Sequence, residues 1–217
     1  SGGHIDLPRA KVGGFAGGPI GRGVAHYRMS FFGASSRAPL HALTAAPDES
    51  WDDSGIDPDS IALIATTARR LGAPITPAGL PTARHARNAS ALVNLDWTPG
   101  AITKIDFRVN GAARSREATN LSTTAFPSTA GDASERELHG FLRLLTNVHG
   151  ATEQISAAFA STRSASHPYL RTPGFSVLAP TLSARGRSLL PVRGGGGEGG
   201  AMASNDTWML QNQLTVL

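Results

Sequence analysis

The stretch "NASALVNLDWTPGAITKIDFRVNGA" (88–112) constrains this chain more than any other. Ala91, Val93, Leu95 and Trp97 alternate with Asn94 and Asp96; after Thr98-Pro99-Gly100, Ile105, Phe107 and Val109 alternate with Lys104, Asp106, Arg108 and Asn110. A period of two is the signature of a strand with two different faces. Two such runs joined by a Pro-Gly turn read as a β-hairpin.

The same rhythm recurs along the chain. Strands are predicted over 11–18, 24–35, 89–98, 101–115, 135–146, 152–164 and 206–217. In the second, Ala25, Tyr27, Met29 and Phe31 oppose His26, Arg28 and Ser30; in the last, Trp208, Leu210, Leu214 and Val216 oppose Gln211, Gln213 and Thr215. The Gly-rich run 17–23, centred on Pro19 to Gly23, reads as the first tight turn, and 147–151 as another. Longer connections fall at 36–88, 116–134 and 165–205. The first contains one helix: Asp57 as N-cap, Pro58 at the first position, Gly72 past the end and an Ile56–Ile61 staple. Ile61, Ile64, Ala65, Ala68 and Leu71 share its apolar face.

Strands paired by tight turns and separated by long loops fit poorly with a compact soluble domain, where structureless loops beyond about 15 residues are uncommon. They fit a transmembrane barrel. Lipid cannot satisfy open backbone groups, spanning strands need about 9–11 residues, and short turns at one end with long loops at the other are the barrel's habit. The expected fold is therefore all-β, a segment of about seven strands of an antiparallel up-and-down transmembrane barrel whose long loops are extracellular.

Composition excludes more than it selects. Only 17% of residues are charged, and the net charge of +4 is scattered and carried mostly by arginine. No basic stripe with interleaved aromatics is present, which argues against nucleic-acid binding. Absence of cysteine removes disulfides, thiol catalysis and Cys-based metal sites. The seven histidines show no metal-ligand spacing, and no metal or cofactor is expected. Gly194, Gly196 and Gly199 match a dinucleotide fingerprint in letters, but Pro191 precedes them and a strand follows; this tract reads as a flexible loop. No G-x-S-x-G elbow or phosphate loop occurs, so no catalytic residue is named and an enzyme is not expected. Asp52, Asp53 and Asp59 lack calcium-loop geometry.

The run "GGFAGGPIGRGVAHYRMSFFG" resembles the Gly-Gly-Pro-Ile turn and aromatic strand early in the barrel of TonB-dependent outer-membrane receptors, in the Oar-like branch that carries a carboxypeptidase-regulatory-like domain. "GIDPDSIALIATTARRLG", "NASALVNLDWTPG" and, more weakly, "SNDTWMLQNQLTVL" extend the resemblance over nearly the whole chain. Such barrels have about 22 strands around a plug. The resemblance thus implies that 1–217 is a partial receptor barrel. No plug, Ton box, signal peptide or closing C-terminal aromatic is seen in it, and the expectation is a slice of a longer protein. It implies as partners outer-membrane lipid, the missing plug and remaining strands, TonB through a Ton box absent from this chain, and an unknown imported ligand. His26, Arg28, Asn94, Asp96 and Arg108 would face the lumen, and ligand contacts would come from them and from the long loops. Tyr27, Met29, Phe31, Trp97, Ile105, Phe107, Val109 and Trp208 would face lipid, with Tyr27, Trp97 and Trp208 near strand ends as an interfacial girdle. The competing expectation is a secreted or surface β-sandwich binding module, an adhesin or carbohydrate binder, in which those apolar residues lie buried under a second sheet.

Overall fold

The alternating runs assemble into one antiparallel sheet. The computed structural model describes residues 9–21, 24–40, 42–43, 55–76, 80–81, 83–181, 188–196 and 200–216. In chain order these form β1 (Arg9–Ile20), β2 (Ala25–Pro39), α1 (Pro58–Arg70), β3 (Ala83–Trp97), β4 (Thr103–Thr119), a 3₁₀ turn (Pro127–Thr129), β5 (Gly131–Val148), β6 (Ala151–Pro168), β7 (Phe175–Pro180), β8 (Leu189–Gly194) and β9 (Ala201–Val216). Strands β1 to β6 pair with their sequence neighbours and β9 pairs with β6, giving seven strands in up-and-down order. Among the described residues the sheet is open, with β1 and β9 as its edges; it does not close into a barrel.

Strands run further than the alternation reached. β5 and β6 have 18 residues each, about 60 Å at about 3.3 Å per residue, so the long connections shrink correspondingly. β1 continues through Gly17, Gly18, Pro19 and Ile20, all paired with β2, so the first turn begins at Gly21 rather than at Pro19. The β5–β6 turn is just His149-Gly150, with φ of +49° and +82°. Positive φ at both central residues is what a type I′ two-residue hairpin turn requires, and glycine adopts it without steric cost. These tight turns all lie at one end of the sheet.

The register lays one continuous apolar face across the strands. Met29, Val93, Val109, Gly140, Phe159 and Trp208 stand in one row; Tyr27, Leu95, Phe107, Leu142, Ala157 and Leu210 stand in the next. Gly140 has a specific use here. A Cβ at this position would meet the Phe159 ring at 2.0 Å, so only glycine lets that ring lie across β5. Phe159 then packs on Trp208, with centroids 5.3 Å apart, an aromatic cross-strand pair of the kind that stabilises sheets.

No second layer covers this face among the described residues. Met29 is 48% exposed, Phe31 57% and Trp208 78%. The buried core lies elsewhere, among the long connections at the far end: Leu43, Ile56, Ile61, Ala65, Ala68, Ile75, Phe126, Ala179 and Val192 form one cluster. The connection between β6 and β9 is therefore not a plain loop. It holds the β7–β8 hairpin, and this two-stranded sheet packs into the cluster instead of over the apolar face.

Helix α1 supplies much of that core. The Asp57 carboxylate accepts from Ser60 N–H at 3.3 Å and from Ser60 Oγ at 2.9 Å, capping the helix start. At the other end Ala73 N–H donates to Ala68 O (2.9 Å) and Gly72 N–H to Arg69 O (3.0 Å), with Gly72 at φ +75°. This is the Schellman arrangement, which ties off two carbonyls that the helix leaves unpaired. Ile61, Ala65 and Ala68 are buried and Ile64 packs beside them, but Leu71 is 80% exposed and leaves the apolar face expected of it. Ala73, just past the turn, packs against the cluster in its place.

Candidate functional site

Alternation sends every second side chain to the opposite face, and there the charged residues gather. His26, Arg28, Asn94, Asp96 and Arg108 share this face. The register extends the group to Lys104, Asp106, Phe141 and Arg143, which the sequence reading did not single out as site residues. Two rows carry it: His26, Asp96, Asp106 and Arg143, then Arg28, Asn94, Arg108 and Phe141. The missed residues had a signal, since Lys104 and Asp106 alternate in step with Arg108. What sequence alone lacked was the β4–β5 register that brings Arg143 opposite Asp106.

The polar groups hold one another in place. Arg108 Nε donates to Asn94 Oδ1 at 3.0 Å. Arg143 Nε donates to Asp106 Oδ2 at 2.7 Å, and its Nη2 donates to the same oxygen. Lys104 Nζ lies 3.2 Å from Asp106 Oδ1, and Arg28 lies 3.9 Å from Asp96. A hollow of about 460 Å³ opens among Arg28, Asn94, Asp96, Arg108, Phe141 and Arg143. Four cations (Arg28, Lys104, Arg108 and Arg143) meet two carboxylates there, so the patch is net positive and attracts anions. A second hollow, between Lys11, Asn88, Arg114 and Arg116, lies on the same face nearer the long connections.

All the residues expected on the apolar side (Tyr27, Met29, Phe31, Trp97, Ile105, Phe107, Val109 and Trp208) do share the other face. Trp97 ends β3 and Tyr27 stands one row in from it, but Trp208 is not near a strand end. It sits in the middle row against Phe159, because β9 extends back to Ala201.

Above the sheet, the long connections form a cap. Leu43 N–H donates to Ala125 O (2.9 Å), Phe126 N–H to Arg193 O (2.8 Å), Ser128 N–H to Ile75 O (2.9 Å) and Asp57 N–H to Pro180 O (3.1 Å). Three sequence-distant segments are thus knitted by backbone hydrogen bonds, as buried polar groups require. The glycine tract belongs to this packing. Gly194, Gly195 and Gly196 are buried, Gly195 has φ +84°, and a Cβ on Gly196 would meet Leu170 O at 1.6 Å. This part is a close backbone approach rather than a flexible loop; Gly199 lies outside the described residues.

One clamp joins cap to sheet. At the end of β4 the register shifts between Arg116 and Thr119, and Ala118 and Asn120 adopt φ of +50° and +65°, a conformation that side chains disfavour. Tyr169 Oη accepts from Ala118 N–H (3.1 Å) and donates to Asp132 Oδ1 (2.5 Å), while Arg84 donates to Ala118 O and Leu121 O at 3.2 Å each. Burial, together with the hydrogen bond to Asp132, pushes the Tyr169 hydroxyl up to about 12 from 10.0. Because the folded state holds this proton more tightly than the unfolded state, the clamp is intact below about pH 10 and is lost as pH rises through 12. The difference in tyrosinate absorbance between wild type and Tyr169→Phe should centre near pH 12. A midpoint near 10 would remove the clamp from the account.

Among the described residues no group of three His, Asp or Glu side chains is placed to hold a metal ion; His4 and His41 lie outside them. Comparison of the chain with family models, curated proteins and solved structures finds no match.

Proposed function

We propose that this chain forms part of the wall of an outer-membrane β-barrel, its apolar face toward lipid and its polar face toward the lumen. The observation that carries the reading is the uncovered apolar face of an up-and-down sheet. In water such a face is a liability of the kind that soluble proteins bury; in a bilayer it is the required exterior. A β-sandwich module would bury Met29, Phe31 and Phe107 beneath a second sheet, and their exposure favours lipid instead. The arrangement of tight turns at one end and long connections at the other matches barrel architecture. The unpaired edges β1 and β9 are where further strands would add, since closure is what removes edges from a barrel.

The resemblance to TonB-dependent receptors supplies the class: a receptor that takes up a scarce ligand, energised through TonB by parts outside this sheet. In that frame the loop cap meets the ligand first and the cationic patch around Arg28, Arg108 and Arg143 lines its path, which suits an anionic solute. The test is expression of the gene encoding this chain in a bacterium with two membranes. The product should sediment with the outer membrane and run at a heat-dependent position on gels. Recovery as a soluble monomer overturns the reading.

A further inference from the structure

On the apolar face, the charges are arranged unevenly. At the tight-turn margin the face carries Thr103, Thr146 and Glu153 and no arginine. Toward the long connections it carries Arg136 and Arg163, directly opposite each other across β5 and β6, with Arg87 and Arg37 in the rows beyond. All four are exposed, and none forms an ion pair among the described residues. On the polar face, by contrast, Arg28, Arg114 and Arg143 each meet a carboxylate. Two acids share this face near the pair: Asp206, opposite Ser161 and so diagonal to Arg163, and Asp132, two rows beyond Arg136 on β5 and hydrogen-bonded to Tyr169; no ion pair joins either to an arginine.

Like charges directly opposite on a sheet repel, and an anion from outside the chain seated between Arg136 and Arg163 relieves that repulsion. Its position says where that anion sits. From Leu144, in the row of Trp97, to Arg136 is eight residues along β5, about 26 Å along the strand and about 20 Å of membrane height at the tilt of about 40° that barrel strands adopt, most of their apolar band of about 25 Å. The long arginine side chains span the remaining height, so their guanidinium groups snorkel to the membrane margin on the side of the long connections. Guanidinium forks match phosphate oxygens in geometry and charge.

We propose that Arg136 and Arg163 form a binding site for the phosphate groups of membrane lipid in the leaflet on the side of the long connections. This rests on the lipid-facing reading of the apolar face. The site fixes the depth and orientation of the wall: an anionic headgroup bridges two strands whose side chains otherwise repel.

The test is flotation of the full chain with vesicles of phosphatidylcholine, with and without added phosphatidic acid. Phosphatidic acid should raise binding, and Arg136→Gln with Arg163→Gln should cut this increment roughly 30-fold, as expected for two surface arginines, while leaving binding to neutral vesicles unchanged. Arg136→Lys with Arg163→Lys should keep most of the increment. Arg69→Gln with Arg70→Gln, the same charge change on α1, should keep all of it. If the double glutamine variant retains the increment, or if free inorganic phosphate at millimolar concentration abolishes it in the wild type, the lipid-phosphate site is overturned. Failure of the wild type to bind neutral vesicles overturns the lipid-facing reading itself and this inference with it.

Discussion

Val109→Arg is expected to lower the membrane-bound population by about 2–4 kcal/mol, the cost of a cation at the lipid-facing midplane of a barrel. That is a loss of roughly 30- to 900-fold. Val109 stands in the middle row of the apolar face, between Val93 and Gly140. Its chain neighbour Asn110 stands between Leu92 and His139 on the other face. Asn110→Arg adds the same charge at the same height and should change binding by less than about twofold, since a lumen-facing substitution meets water. The pair of variants, compared by flotation with phosphatidylcholine vesicles, isolates the face from the charge. Equal losses in both would end the assignment of lipid to one face and lumen to the other.

Sequence periodicity settled which residues share a face because a strand's side chains alternate strictly, and a tight hairpin transmits that alternation to its neighbour. It failed at the strand ends for a physical reason. In Ala83–Asn88 and in Asp132–Glu137 charged residues occupy both faces, so no alternation survives, yet the backbone ladder continues. Hydrogen bonds between strands do not require an apolar face; only the signal does. The β7–β8 hairpin was missed because "FSVLAP" and "LLPVRG" are short and contain Pro180 and Pro191. An isolated two-stranded hairpin is marginal, and this one is stabilised by α1 and Phe126, far away in sequence. The buried glycines are a similar case. Gly195 and Gly196 are dictated by the backbone of Pro173 and Leu170 passing close by, and nothing within the tract itself announces that neighbour. The charged patch was half visible: alternation found its faces, but Arg143 joined it only through the β4–β5 register.

The cap is the other place where a single side chain should matter greatly. Phe126→Ala is expected to destabilise it by about 3–5 kcal/mol, the usual cost of emptying a phenylalanine site in a packed core. Phe126 is fully buried, its ring centroid lies 6.4 Å from that of Phe175, and its own N–H donates to Arg193 O. It therefore sits where the three long connections meet, and a cavity there would free all of them at once. The loss should be local. The sheet's strands pair with one another through their own ladders, and the cluster around Phe126 contains no residue of β1 to β6. Amide exchange should accelerate across α1, β7 and β8 while β3 and β4 keep their protection, because regions of a protein open independently where few contacts couple them. Phe15→Ala is the matched comparison. Phe15 is 91% exposed on the polar face of β1, and its loss should leave both regions unchanged. If protection in β3 and β4 falls together with that of the cap, the cap and wall form one cooperative unit, and the cap could not then rearrange around a ligand without disturbing the wall beneath it.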